Sequence, residues 1–125
     1  MSRVDVPYIP TEAYGISGHV LVEGTGVVPV RRAFATGATI ATHTLVSGVT
    51  GKKLRVLQFF ATTVDGLNLT FKSASTTISA NIAASGIMSS YAEHGWFETA
   101  VGETLGFAID AAESTSVHVL YIEVD

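Results

Sequence analysis

The stretch Leu54–Lys72, LRVLQFFATTVDGLNLTFK, decides the fold of this chain. Its first half, Leu54 to Thr63, is the strongest strand in the sequence. Leu54, Val56 and Phe60 fall on one face, with Leu57 and Phe59 on the other. Apolar residues on both faces predict a central strand covered on both sides. Asp65-Gly66 is a strong turn dipeptide. Beyond it, Leu67, Leu69 and Phe71 alternate with Asn68, Thr70 and Lys72, the cleanest half-buried pattern in the chain. The stretch therefore predicts a hairpin that turns at Asp65-Gly66.

The flanking sequence follows the same grammar. Upstream, Thr39 to Ser47 reads as a strand, Gly48 to Gly51 as a turn, and Lys52-Lys53 as the solvated start of the next strand. Downstream, Thr77 to Ala84 and Ile87 to Tyr91 read as weaker strands parted by Ser85-Gly86, though one helical turn fits there equally well. A turn at Val101-Gly102-Glu103 precedes Thr104 to Asp110, with Leu105, Phe107 and Ile109 on one face. The last strand, Thr115 to Val124, sets Val117, Val119 and Tyr121 opposite His118, Leu120 and Ile122. Val, Ile and Thr supply 38 of the 125 residues, and β-branched types fit a pleated surface. Seven or eight short strands between turn signals predict an all-β antiparallel sandwich or barrel over residues 36–125.

Residues 1–35 differ. All three prolines (Pro7, Pro10 and Pro29) lie there, with Gly15, Gly18, Gly24 and Gly26. Val20 to Val22 and Val27 to Phe34 read as short edge strands, and the rest as an extended N-terminal arm. Tyr8, Ile9, Pro10 and Tyr14 are its apolar anchors, candidates for contact with a partner or with the chain's own domain.

Composition narrows the function. The chain is 47% apolar but only 14% charged, against about 25% charged in ordinary soluble domains. That surplus of apolar residues predicts surface hidden against other chains, since monomers seldom expose large apolar patches. No apolar run approaches the ~18 residues of a membrane helix, and the early Asp5 and Pro7 do not suit an export signal. The formal charge of −4 has the wrong sign for nucleic-acid binding. Cysteine is absent, which removes disulfides, thiolate metal sites and cysteine nucleophiles.

No motif carries catalysis. His19, His43, His94 and His118 lack metal-ligand spacing; His43 and His118 read as structural strand histidines. No G-x-S-x-G elbow supports a serine nucleophile. Glu93, Glu98 and Glu103, five apart, read as a solvated rim rather than a glycosidase pair. Gly24-Thr25-Gly26 and Gly51-Lys52-Lys53 fall short of nucleotide-binding loops. The expectation is a non-enzymatic protein without cofactors. The block Gly95-Trp96-Phe97-Glu98-Thr99 reads as a structural anchor, Trp96 and Phe97 burying large area to pin a loop.

Six ordered blocks resemble small structural proteins of tailed bacteriophages. They are Thr44-Leu45-Val46, Gly51 to Leu57, Leu69 to Ser73, Gly95 to Thr99, Gly102-Glu103-Thr104-Leu105 and Val119 to Val124. The resemblance covers residues 40–125. It implies a jelly-roll-like β-sandwich of the virion, a capsid decoration (cement) protein. Such a protein would be a homotrimer on the capsid surface, made in the host cytoplasm and bound to the major capsid protein. The alternative is a carbohydrate- or receptor-binding module of a tail fibre or baseplate, stacking sugar on Trp96, Tyr91 or Tyr121.

Overall fold

A computed structural model describes residues 19–22, 25–92 and 95–125. The described residues form ten strands and no helix: β1 (His19–Val22), β2 (Gly26–Pro29), β3 (Arg31–Gly37), β4 (Thr42–Val46), β5 (Lys53–Ser73), β6 (Thr76–Thr77), β7 (Ile82–Tyr91), β8 (Phe97–Glu98), β9 (Leu105–Ile109) and β10 (Thr115–Val124). Two of these are only two residues long; of the eight longer strands only β4, β5, β7, β9 and β10 lie wholly within residues 36–125, fewer than the seven or eight expected there, because expected neighbours are merged into β5 and β7. Every ladder is antiparallel. The expected all-β sandwich is present. The anchors Tyr8, Ile9, Pro10 and Tyr14 lie outside the described residues, and β3 straddles the 35/36 boundary drawn from the sequence.

The expected hairpin is replaced by one continuous strand. β5 runs through Asp65-Gly66 without turning back on itself. Its first half pairs with β10 from Lys53 to Thr63, and its second half pairs with β9 from Leu69 to Ser73. β7 follows it across the corner, with a register shift between Thr63 and Leu67. At that corner Gly86, in register with Thr63, has φ +71°, a conformation that suits glycine. Ser85-Gly86 therefore bends one strand, β7, instead of separating two. Bulges of this kind let a strand leave one layer and enter the next.

The fold-over is measurable. Phe59 and Phe71 are twelve positions apart, so a straight strand would separate them by ~40 Å. Their ring centroids lie 5.4 Å apart. One layer is therefore β3-β10-β5 with the end of β7, and the other is β4-β9-β5 with its start. Leu54, Val56, Leu69, Phe71, Leu105, Phe107, Val117 and Val119 fill the space between them.

A second irregularity corrects the face assignment of β5. Leu120 pairs with Gln58 but Tyr121 pairs with Val56, so Leu57 is an extra residue. The alternation changes phase there: Leu54 and Val56 point inward, and so does Phe59, while Phe60 faces out. Leu57 is buried on the outer side with Ile122, Val124, Val22 and Val28. Among the described residues, the outer side is thus covered at the β1–β2 end and not along its whole length.

Two local devices hold the edges. The His43 ring lies against Phe107 at 5.2 Å and shares a 3.0 Å hydrogen bond with the Thr39 carbonyl. It occupies the space that a Cβ on Gly37 would need, 2.4 Å away, so glycine lets β4 approach the end of β3. At β8, Arg55 Nε donates to Glu98 Oε1 at 2.8 Å, and Lys53 Nζ lies 3.4 Å from Oε2. Partial burial pushes the Glu98 carboxyl up, but the hydrogen bonds and charges of Arg55 and Lys53 outweigh it and hold the group below 4.5.

Phe71→Ala should lower unfolding free energy in urea by about 3–5 kcal/mol, as expected for a fully enclosed phenyl group; a loss under about 1 kcal/mol would contradict the packing. The depressed Glu98 pKa stabilises the fold above 4.5 and ceases to do so as pH falls through the folded-state value. Urea midpoints compared between about pH 6 and about pH 3 should drop less in Glu98→Gln than in the parent chain. Equal drops would show that the ion pair contributes nothing.

Candidate functional site

Among the described residues, the part of the outer layer that β1 and β2 leave uncovered is the most distinctive surface. Strand register stacks its side chains in rows. One row is Arg32, Leu120, Gln58 and Tyr91, from β3, β10, β5 and β7. The next is Phe34, His118, Phe60 and Ser89, and a third, of hydroxyls, holds Thr36, Ser116 and Thr62. Directly paired residues share a face, so the rows form one surface.

The middle row is aromatic. The His118 ring stacks on Phe34 at 5.1 Å and 26°, and meets Phe60 edge-on at 5.9 Å and 84°. Phe34 is 66% exposed, Phe60 38% and Tyr91 57%. Phe60, His118, Leu120 and Arg32 border a shallow depression of about 210 Å³. Arg31 pairs with Glu123 at 3.3 Å, whereas Arg32 makes no ion pair among the described residues. In a chain with so few charges, this face can bury apolar area and offer one cation to a partner. No group of three or more His, Cys, Asp or Glu that could hold a metal occurs among the described residues.

The anchor block sits elsewhere. Phe97 reaches the core and packs on Phe71 at 4.8 Å. Thr99 is buried and bonds Leu54 twice, through its amide and through Oγ1. Trp96 stays 47% exposed, 6.2 Å from Phe59, at a depression shared with Ile78 and Ile82. The three aromatics proposed for sugar stacking do not converge: Tyr121 is buried, Tyr91 lies in the outer row, and Trp96 borders the core. Glu98 and Glu103 are likewise apart in role, bound to Arg55 and to Ser73 respectively.

Sequence reasoning did not find the Phe34–His118–Phe60 face. Its members come from three distant segments, and only the ladder register joins them. The one available cue was a phenylalanine within an edge-strand reading at Val27 to Phe34.

No family model matches the chain, and no curated protein matches it. Among solved structures, the fold is similar to a chain of the cyanophage Pam1 capsid asymmetric unit. The TM-score is 0.51 at 15% identity, over 90% of this chain and 97% of that one. At that identity the likeness is one of fold. The described residues contain no helix long and apolar enough to cross a membrane.

Phe34→Ser removes a largely exposed ring, so stability should change by no more than about 0.5 kcal/mol. Binding of a hydrophobic dye to the native protein should fall. Unchanged dye binding would show that this face is not the accessible apolar surface.

Proposed function

We propose that this chain is a non-enzymatic structural protein of a bacteriophage virion, a decoration (cement) protein that binds the major capsid protein and stabilises the head. The observation that carries this reading is the fold likeness to a component of a phage capsid asymmetric unit across nearly the full length of both chains. The likeness is thus to a whole small component rather than to a fragment of a large one.

The physical chemistry suits the role. The core forms between two layers that share β5 and β7, a rigid arrangement that suits a part of a shell. A homotrimer would hide apolar surface that a charge-poor monomer leaves wet, and would match three-fold positions of a shell lattice. The segment carrying Tyr8, Ile9, Pro10 and Tyr14 would supply contacts to the capsid, and the protein would be made in the host cytoplasm and carried on the capsid surface.

Sedimentation at micromolar concentration should give a species of three times the 13.1 kDa chain mass. The same preparation should pellet with purified heads of the encoding phage that lack it. A stable monomer that stays in the supernatant would overturn the proposal.

A further inference from the structure

We propose that the depression beside Trp96 is a socket for one apolar side chain of a partner polypeptide, and that the partner carries a carboxylate next to that side chain. The inference rests on the proposed binding to the major capsid protein and names the part of this chain that grips it.

The backbone builds the socket at the rim of the core. Gly95 has φ +94°, and a Cβ there would meet the Arg55 side chain at 2.6 Å. Glycine therefore lets the chain lie on the Arg55 stem, and the Trp96 amide donates to the Val56 carbonyl at 2.8 Å. Phe97 turns inward onto Phe71, while Trp96 stays at the rim, half-exposed, with its ring 6.2 Å from Phe59. Residues 78–82, between β6 and β7, form the facing wall, where Ile78 and Ile82 pack against the core. Trp96, Phe59, Phe97, Ile78 and Ile82 line a depression of about 290 Å³. A cavity of about 150 Å³ already holds benzene, and pockets for larger ligands start near ~300 Å³. The space therefore suits a single Leu, Met or Phe side chain.

The lining sets the chemistry of the occupant. Ser79 brings its only hydroxyl, and that Oγ already accepts from the Phe71 amide at 2.8 Å and donates to the Ala80 carbonyl at 2.9 Å. A sugar finds few partners there, whereas an apolar side chain leaves nothing unpaired. On the other side of Trp96 lie Arg55 and Glu98. Arg55 and Lys53 both bind this one carboxylate, at 2.8 Å and 3.4 Å. Among the described residues, this corner therefore holds a positive charge in excess, in a chain whose formal charge is −4. A local sign opposite to that of the whole favours a partner segment with Asp or Glu beside its apolar residue. The buried group supplies affinity, and the charge at the rim supplies orientation.

Binding to purified heads that lack this protein reads the socket directly. Ala80 lines it and is exposed, so Ala80→Glu puts bulk and a repelling charge at the mouth without truncating the core. It should weaken binding at least ~10-fold at an unchanged urea midpoint. Trp96→Ala should do the same, and Ala80→Glu decides if Trp96→Ala lowers the midpoint. Glu98→Gln releases Arg55 and Lys53 and should tighten binding about two- to fivefold. Equal binding by the parent chain and Ala80→Glu, or weaker binding by Glu98→Gln, would overturn the proposal. A parent chain that ignores heads would sink the capsid reading instead, and the socket is then read on the isolated chain. Trp96 is the sole tryptophan, so emission reports on this site alone. Millimolar 3-phenylpropionate should change the emission saturably, and 2-phenylethylamine, of opposite charge, should need at least about fivefold more. No saturable change, no preference for the carboxylate, or a response to methyl glucoside in its place would overturn the proposal.

Discussion

The structure depends on the contact between Phe59 and Phe71, two rings of a single strand held 5.4 Å apart. A strand can touch itself only by crossing from one layer to the other, so this contact requires the corner near Asp65-Gly66 and the matching bend of β7 at Gly86. Phe97 completes the cluster on the far side of Phe71. The layers are therefore not two sheets that happen to dock. They are one ladder folded over, and the core exists because β5 and β7 bend together.

Local alternation made much of this legible in the sequence. Thr115–Val124 matches β10, and Leu105, Phe107 and Ile109 are the buried apolar side chains of β9. These strands have a single phase from end to end, so period two suffices to read them. β5 defeats the same reading twice. The extra residue Leu57 reverses the phase in mid-strand, which puts Phe59 rather than Phe60 beside Val56 in the core. Asp65-Gly66 then mimics a hairpin turn, because a corner and a hairpin both need a tight bend between apolar runs. What separates them is the pairing partner, and pairing between distant segments leaves no mark in a local window. The Phe34–His118–Phe60 row was hidden for that reason.

Bare and covered regions of the outer layer have one origin. Ile122 and Val124 sit under Val22 and Val28, while Leu120 and His118, further along β10, face a depression bordered by Phe60 and Arg32. Among the described residues, this apolar-rich, charge-poor chain leaves aromatic surface where the β1–β2 hairpin stops. That surface suits a protein whose working state is an assembly, where burial against neighbours lowers the free energy of rings that water solvates poorly. The proposed capsid role follows from this shortage of covering groups.

A cryo-electron-microscopy map of intact particles of the encoding phage tests the account most directly. The account predicts density for this folded-over sandwich on the outer surface of the head, in trimers seated on the major capsid protein at three-fold positions. Heads that lack such density, or the sandwich found only on a tail appendage, would contradict it.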